Sequence, residues 1–576
     1  MSQRSRQTPS DAGGRGVLEP TGLPVAAPTP TARRVVVIGA GVAGLTAAHE
    51  LAERGFDVTI YECKALGGKS RSFPVPNSAS GERRELPGEH GHRFVPGFYQ
   101  HLPDTMTRIP SLDDNRSVWD HMVPQAGFLY ARSDGREDLP VLSHIKGVAT
   151  REFLRRASEA LLRHFKALPP AQLVTFLTRL LVFMTSSEER RFGEWEYITW
   201  WDFVRAERMS EEYRKLLVNA VTEHLIAARG DLASARSIGT LAEASIYAVT
   251  RLSTTGESGR VLDAPTSESW IDPWVAYLRS KGVRFVVGVG AQAFEIGRGR
   301  ISAVRVTGPT VNQRVEADWY VCAVPVERAQ MLLTADVLTA DPSLACLAQL
   351  RTEWMNGIQF HLRQPLPLFD GPVNYVDSPW GLVSASQAQW WNRDLQAGYG
   401  DGTVRECLSV NIANFDAPGI VYGKPACKCT PDEIATEVLA QMRAALEDTG
   451  RIMLSDGVVA SWFLDPALRF ENGVMSNDEP LFVNYTGSWD VRPTATTAIP
   501  NLFLAGDYVR ENLSAATMEG ANQTGRLAAN GVLEASGSVA SPSRVFLPYD
   551  PPALAAFKRR DADRFRRGLP HVLNRI

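Results

Sequence analysis

One segment near the start of the chain, residues 35–44, restricts the fold more than any other feature. It reads Val-Val-Val-Ile-Gly-Ala-Gly-Val-Ala-Gly, a β-branched run that leads into three glycines. Such a run is typical of a strand buried on both faces of a parallel sheet. Gly39 permits a tight turn, Gly41 lets the backbone approach a pyrophosphate, and Gly44 lets the next helix pack closely. The segment predicts a strand–turn–helix unit that binds a dinucleotide.

The residues that follow complete this unit. A helix over residues 43–54 is predicted to aim its first N–H groups, including that of Ala43, at the phosphates. A second strand, residues 57–61, leads to Glu62, whose carboxylate is placed to bind ribose hydroxyls. Because strand, helix, second strand and acid follow in order, the dinucleotide site is far more specific than a lone glycine triplet.

A short loop after the acid indicates which dinucleotide is bound. Residues 67–72 read Gly-Gly-Lys-Ser-Arg-Ser, which resembles the second glycine motif of the two-dinucleotide-binding flavoproteins. In those proteins the glycine pair and the following basic residue lie along the FAD pyrophosphate. The resemblance implies FAD as cofactor, with Gly67, Gly68, Lys69 and Arg71 as ligands. The alternative is a flexible surface turn, since a glycine pair marks many turns.

Two histidines follow where such flavoproteins pass a loop beside the flavin ring. Residues 89–97 read Glu-His-Gly-His-Arg-Phe-Val-Pro-Gly. His90 and His92 are therefore candidates for a catalytic base. The alternative for each is a hydrogen-bonded structural histidine, so the catalytic residues stay unassigned.

A second glycine segment lies near the other end of the chain. Residues 501–505 predict a last parallel strand, and Gly506 allows close backbone approach. Asp507 is placed to bind the pyrophosphate or the ribityl hydroxyls. A helix is predicted to begin near Met518, after Thr517, with its first N–H groups facing the N1–C2=O edge of the isoalloxazine. The positive end of that helix dipole would stabilise an anionic reduced flavin.

This C-terminal pattern resembles one family. Gly506-Asp507-Tyr508, residues 516–521 (Ala-Thr-Met-Glu-Gly-Ala) and Gly525-Arg526 look like the FAD-dependent flavin amine oxidase and phytoene desaturase superfamily. Within it the chain is most similar to plant-type carotenoid desaturases and bacterial hydroxysqualene dehydroxylases. The resemblance implies an α/β fold: a two-dinucleotide-binding, Rossmann-like FAD domain interleaved with an α+β substrate domain that contains an antiparallel sheet.

The middle of the chain is expected to add a third cofactor-binding piece. Residues 282–287, 301–307 and 318–325 predict three strands, the last ending in a proline that starts a helix. In the proteins that this chain resembles, such a βββ insertion joins the nucleotide sheet, and the backbone of a residue such as Val289 holds the adenine. Generic sheet is the alternative.

The length of 576 residues is too great for one compact core and predicts interleaved domains. The FAD-binding domain is expected to combine residues 32–105, 262–345 and 480–540. Residues 106–261 and 346–479 form the predicted substrate domain. Residues 1–31 predict a disordered leader and not a secretory signal. Residues 541–576 predict a C-terminal tail whose basic part forms a solvent-exposed helix.

One departure from the family pattern bears on the reaction. True amine oxidases of this superfamily usually carry a Tyr where Thr517 stands, as one wall of an aromatic cage over the flavin. Five aromatic residues are alternatives for that wall: Trp390, Trp391, Trp380, Tyr375 and Trp462. The favoured function is an FAD-dependent dehydrogenase that passes a hydride to flavin N5 and forms a C=C bond in a lipophilic or secondary-metabolite substrate.

Two alternative functions stay open. One is an amino-acid or peptidyl α,β-desaturase or an amine oxidase of natural-product biosynthesis, and the other is a non-catalytic FAD-binding scaffold. The predicted partner is a small-molecule substrate, and the oligomeric state is not predicted. The net charge of −3 favours no nucleic-acid partner.

The remaining composition excludes some classes. Cys427 and Cys429 are too close for the usual metal-ligand spacing, so no metal site is predicted. No run of about 18 apolar residues occurs, which predicts a cytoplasmic protein without a transmembrane segment. The apolar stretch 173–184 leaves two alternatives, a buried helix and a helix that touches a membrane surface.

Overall fold

Strands and helices are distributed over the whole described part of the chain in this computed structural model, with several strands in succession in some places. The model describes residues 33–142, 168–223, 228–250, 252, 259–448, 450, 452–455 and 457–575, and the predicted leader 1–31 lies outside these residues. The strands are β1 (Arg34–Ile38), β2 (Asp57–Glu62), β3 (Ser72–Pro74), β4 (Pro87–Glu89), β5 (Val95–Pro96), β6 (Val123–Pro124), β7 (Gly127–Ala131), β8 (Leu139–Leu142), β9 (Gly259–Val261), β10 (Arg284–Val287), β11 (Gly290–Gly297), β12 (Arg300–Gly308), β13 (Val311–Val315), β14 (Trp319–Cys322), β15 (Thr352–Glu353), β16 (Asn356–Leu362), β17 (Val373–Tyr375), β18 (Val383–Ser386), β19 (Glu406–Ile412), β20 (Val459–Leu464), β21 (Leu468–Glu471), β22 (Val474–Asn477), β23 (Leu481–Phe482) and β24 (Leu502–Leu504).

The longer helices surround these strands. They are α1 (Val42–Ala52), α2 (His101–Thr107), α3 (Pro170–Thr185), α4 (Ala235–Val249), α5 (Asp272–Ser280), α6 (Val326–Leu332), α7 (Ala335–Ala340), α8 (Pro431–Leu446), α9 (Met518–Ala535) and α10 (Ala555–Arg566). Shorter helical turns are Glu188–Arg190, Trp200–Phe203, Glu211–Tyr213, Asn219–Val221, Leu395–Gly398 and Ser488–Val491.

A five-stranded parallel sheet forms the first core. Its order is β10-β2-β1-β14-β24, and every neighbouring pair is parallel. The strands come from both ends and the middle of the chain, within the ranges predicted for the FAD-binding domain. The β-branched run of β1 is buried on both faces, as expected for a central parallel strand. Because β1 and β14 are neighbours, the strand order reverses at this pair, and ligands bind at such a point.

The three strands predicted to form one insertion in the nucleotide sheet do not stay together, so that prediction is wrong for the middle strand. Its first and third strands, β10 and β14, join the parallel sheet on opposite sides of β2 and β1. The middle strand, β12, instead lies between β11 and β13 in a separate antiparallel sheet. The sequence does not separate these roles, because all three strands are short apolar runs and the pairing depends on distant partners.

The antiparallel sheet predicted for the substrate domain is present. It has seven strands in the order β20-β16-β19-β18-β17-β7-β8, and one pair, β7 and β17, is parallel. Helix α8 packs against it in a second core. The predicted capping box at the start of α8 is confirmed, since Thr430 Oγ1 accepts from Glu433 N and Glu433 Oε2 accepts from Thr430 N. The exact domain boundaries stay a prediction.

The C-terminal helix α10 is only partly solvent-exposed, so the prediction of a solvated helix is wrong for one face. Asp561 on that face is buried, and both its carboxylate oxygens accept from Arg190 Nε, at 2.8 and 3.0 Å. Arg190 also donates to Leu569 O through Nη2. This ion pair holds the C-terminal tail against the helices around α3. Helix α3 itself leaves three apolar side chains exposed, Val174, Leu177 and Leu181.

Candidate functional site

The turn after β1 needs glycine at two positions. Gly39 has φ of +100°, and a Cβ there would lie 2.6 Å from Ala323 O at the end of β14. A Cβ on Gly44 would lie 2.0 Å from Gly39 O. Because backbone atoms cannot yield that much space, the turn and the first part of α1 exist in this form only with glycines. The turn therefore lies tightly against the reversal point between β1 and β14.

The N-terminus of α1 fits a phosphate group. Gly41 is the N-cap residue, no side chain caps the helix, and its first turn, which includes Ala43, holds no acidic residue. The first N–H groups of a helix have no partner within the helix, and together with the dipole they favour an anion. A dinucleotide pyrophosphate is the anion that suits this edge of the sheet.

Glu62 lies at the end of β2, where an adenosine ribose would be bound. Its carboxylate is buried, and it accepts from Ala40 N through Oε2 and from Lys64 N through Oε1, each at 2.8 Å. Oε1 also accepts from Cys63 Sγ at 3.6 Å, so Oε2 is the oxygen that keeps a lone pair for a ribose hydroxyl. Val289 is adjacent, since its N–H donates to Glu62 O at 3.1 Å. That N–H is occupied, so the carbonyl is the backbone group of Val289 left to contact an adenine.

The Gly67–Gly68 loop abuts the first glycine turn. Gly67 N donates to Ala40 O at 2.8 Å, and both Gly67 and Gly68 have positive φ, +99° and +57°. A Cβ on Gly68 would lie 2.8 Å from Gly41 Cα. The two glycine motifs are thus in contact, as the flavoprotein resemblance implies.

The two basic residues of this loop are engaged by the protein itself. Lys69 Nζ donates to Pro480 O, and Arg71 donates to Gly68 O and, at 3.1 Å, to Glu479 Oε1. Burial raises the pKa of Glu479, but Arg71 and Lys64 lower it by more than burial raises it, so the net pKa is about 2. Arg71 therefore shares Glu479 with Lys64, whereas the carboxylate nearest Lys69 Nζ is that of Glu327, at 3.8 Å. Direct phosphate binding by Lys69 and Arg71 stays a prediction.

The C-terminal glycine segment lies beside the first one. Gly506 and Asp507 follow β24 after one residue, at the same edge of the sheet as the turn after β1. Helices α1 and α9 pack so closely that a Cβ added to Gly525 would lie only 2.5 Å from Ala43 O. Helix α9 begins at Met518 as predicted, and the Thr517 side chain caps it by accepting from Gly520 N at 3.0 Å. The two N-terminal glycine motifs, Glu62 and the Gly506–Asp507 segment thus lie at one edge of the sheet, and the binding roles of all predicted FAD ligands stay predictions.

Glu519 is a residue of this site that the sequence did not single out. Its buried carboxylate accepts from the N–H groups of Gln100, His101 and Leu102 and contacts His101 Nδ1 at 2.7 Å. Burial raises its pKa, but His101 and the backbone donors bring it below the usual value. Glu519 thereby joins the first turn of α9 to the start of α2. Its position in the first turn of a predicted helix was the only available signal.

The two candidate bases differ in environment. His90 is buried, with Nδ1 against the carboxylate of Asp465. Burial and then the neighbouring Arg93 lower the pKa of His92 to about 4, so its imidazole is neutral at pH 7. His92 lines a small cavity with Trp390 and Trp391. Neither residue is thereby assigned to catalysis.

A larger cavity adjoins the residues that lead into α9. It contains about 470 Å³ of empty space, part of it open to solvent. Its lining is mainly apolar and consists of Ala228, Ala233, Ser237, Ile238, Glu353, Trp354, Met355, Leu481, Phe482, Val483, Asn484, Ser514, Ala515 and Ala516. None of the five aromatic alternatives for an aromatic wall lines it. The aromatic residues that do, Trp354 and Phe482, come from β15–β16 and β23 and had no sequence signal of their own.

The comparison with protein families identifies this arrangement. The model of the flavin-containing amine oxidoreductase family matches residues 42–533, most of the chain. The chain belongs to this family. It is an FAD-dependent oxidoreductase, which confirms the predicted enzyme class, cofactor and superfamily.

Relatives of this family member match it over most of its length. It is 23% identical to a zeta-carotene desaturase of Synechocystis sp. over 87% of this chain and 97% of the relative. It is 24% identical to a 15-cis-phytoene desaturase of Synechococcus elongatus over 87% of this chain and 96% of the relative. Among solved structures, cyclohexylamine oxidase from Brevibacterium oxydans shares the fold with a TM-score of 0.55 at 14% identity, covering 88% of this chain and 100% of that one.

The residues of the edge fit FAD, because the α1 N-terminus offers unpaired donors and the glycines leave no Cβ in the way. When bound, FAD supplies a hydride acceptor at N5. The N-terminus of α1 would bind its pyrophosphate, Glu62 would bind its adenosine ribose, and the start of α9 would contact its isoalloxazine ring. Within the described ranges, no cluster of three or more His, Cys, Asp or Glu residues could hold a metal ion. Every helix in those ranges is too short or too polar to cross a bilayer.

Proposed function

We propose that the protein dehydrogenates a lipophilic small molecule and forms a C=C bond in it. The observation that carries this proposal is the apolar cavity against Ser514–Ala516. These residues lead directly into Thr517 and Met518, where the reactive ring is expected, so a molecule bound in the cavity would lie next to the expected position of the ring. The lining offers little to a polar substrate apart from Glu353, Asn484 and two serines.

The site residue before Met518 supports dehydrogenation at carbon over oxidation at nitrogen. Thr517 is small, and its hydroxyl is used to cap α9. It therefore contributes no aromatic wall, a feature associated with amine oxidation in the predicted superfamily. The desaturases among the relatives, named for zeta-carotene and phytoene, are in keeping with this proposal.

Oxidation of an amine is the second candidate, and one observation favours it. Glu353 lines the cavity, and a carboxylate there would pair with an ammonium group. Burial, and then Asp416, raise the pKa of Glu353, which reduces its negative charge at any given pH. The favouring effect is therefore weakened, and dehydrogenation of a carbon chain stays the preferred function.

Anaerobic reduction of the purified yellow protein tests these functions. An isoprenoid hydrocarbon, an isoprenoid ketone, an amine and an aminoacyl compound are each added, and bleaching of the flavin is followed before mass analysis. We expect bleaching by an isoprenoid with the loss of two hydrogen atoms. Bleaching by the amine alone, with ammonia or an imine as product, contradicts the proposal. A correctly folded protein that binds no FAD also contradicts it.

A further inference from the structure

The lining of the cavity beside α9 is mainly apolar but includes a few polar side chains. Ala228, Ile238, Met355, Leu481 and Val483 form much of the apolar wall. Asn484, Ser237 and Ser514 also line the cavity. They are linked through Ser234, whose N–H donates to Asn484 O and whose hydroxyl donates to Ser237 Oγ, each at 3.0 Å. A pure hydrocarbon offers these groups no hydrogen bond, so any of them that lacks a protein partner would be buried against it unsatisfied, which is unfavourable.

Asn484 carries an unpartnered donor in this wall. The side chain is 7% exposed, and within the described part of the chain its Nδ2 has no hydrogen-bond partner. The backbone is fixed, since Asn484 O accepts from Ser234 N at 3.0 Å. Buried polar atoms in native proteins almost always have partners, so an unmatched one that lines a cavity indicates a ligand atom. The complementary ligand atom is a hydrogen-bond acceptor.

Ser514 adds a second donor close to the flavin end. Its φ is +56°, a left-handed conformation that is rare for serine. Its Oγ accepts from Arg236 Nη2 at 2.6 Å and from Arg492 Nη1 at 3.2 Å. Since these guanidinium groups use the lone pairs of the oxygen, the hydroxyl hydrogen can be donated either to Ser237 Oγ or to a ligand in the cavity. Ser237 Oγ, 3.3 Å away, belongs to the same group of hydroxyls.

We propose that this cavity binds a lipophile that carries a carbonyl or hydroxyl oxygen, and that Asn484, assisted by Ser514, binds that oxygen. The proposal rests on the proposed function and refines its substrate class, since it distinguishes an oxygenated lipophile from a hydrocarbon. A ketone that is oxidised and a quinone that accepts the electrons share this chemistry. Glu353 lies in the same lining but is not required for the recognition.

The test compares two probes on the FAD-loaded protein. They are geranylacetone and the hydrocarbon that has CH₂ in place of its carbonyl, and each is titrated while the flavin absorbance is followed, which needs no turnover. The measured quantity is the ratio of the two dissociation constants, hydrocarbon over ketone. Asn484→Leu keeps the size and removes the donor, and we expect it to lower this ratio about tenfold, the value of one hydrogen bond.

Controls and a second variant keep the outcome interpretable. Asn312→Leu makes the same change on the exposed strand β13 and is expected to leave the ratio unchanged. If Asn484→Leu does not retain FAD, Asn484→Asp has the same size, replaces the donor by an acceptor, and is expected to show the same loss. Reoxidation of the dithionite-reduced protein by menadione provides the quinone arm.

The outcomes separate the two sources and the two proposals. If Asn484→Leu lowers the ratio of the hydrocarbon and ketone dissociation constants, the oxygen that Asn484 binds belongs to the molecule that is oxidised. If the variant only slows reoxidation by menadione, that oxygen belongs to the electron acceptor. If both are unchanged in a variant that holds FAD, or if neither ketone nor quinone binds, the inference is overturned while the proposed function stands. Failure of the unmutated protein to bind FAD overturns the proposed function itself.

Discussion

Replacing Glu62 by glutamine tests the adenosine end of the site most directly. The buried carboxylate accepts from Ala40 N and Lys64 N, each at 2.8 Å. A glutamine amide at this position would keep one acceptor and turn an NH₂ group toward the other N–H. A hydrogen bond to a charged group contributes about 1.5–3 kcal/mol, so the free energy of unfolding of the apoprotein should fall by about that amount.

FAD affinity should fall in parallel, because the ribose hydroxyls lose a charged acceptor. The same loss of one charged hydrogen bond corresponds to a rise of about 10- to 100-fold in the FAD dissociation constant. Fluorescence titration of the apoprotein with FAD measures the affinity, and urea unfolding measures the stability. Glu316→Gln is the matched control, since Glu316 is 60% exposed and pairs with Arg314 at the surface. An unchanged FAD affinity in Glu62→Gln would refute the placement of the ribose at this carboxylate.

Three further outcomes follow from the contacts described above. Thr517→Val removes the acceptor that caps α9 and should lower the free energy of unfolding by about 1 kcal/mol, whereas Thr517→Ser should not; thermal unfolding distinguishes them. Asp561→Asn removes the buried one of the two carboxylates that pair with Arg190, leaving Glu194, and should cost about 2 kcal/mol in urea unfolding, whereas the same change at exposed Asp563 should stay within about 0.5 kcal/mol. The pKa of Glu479 is depressed to about 2, so its stabilising contribution is present above its unfolded value of about 4.5 and is lost as the pH falls toward 2. Glu479→Gln should remove that part of the acid sensitivity, and equal slopes of stability against pH between 4.5 and 2 would contradict it.

Local chemistry made the nucleotide-binding half of the fold predictable. The order of β-branched run, glycines, helix and Glu62 lies within 28 residues, so one short stretch specifies strand, turn and ligand together. The capping box of α8 was predictable for the same reason, since Thr430 and Glu433 are neighbours on one turn. Patterns of this kind need no knowledge of distant partners.

The substrate side was not predictable, because its residues meet only in the folded chain. Trp354, Asn484 and Ser514 line one cavity but come from separate segments without a shared motif. The burial of Asp561 depends on Arg190, which is 371 positions away. The grouping of β10, β12 and β14 failed for a related reason: similar apolar runs pair according to tertiary neighbours that the sequence does not display.

The discontinuity of the parallel sheet has a consequence for the synthesis of this protein. Strand β24 completes the sheet beside β14, yet it starts at residue 502, long after β1 and β2 have left the ribosome. Until then β14 has an open edge, and α1 lacks the packing partner α9. Contacts across such sequence distances form slowly, because loop closure precedes them. The edge at which FAD is expected to bind is therefore complete only after β24 and α9 have been made, and we expect polypeptides that stop before β24 not to bind FAD.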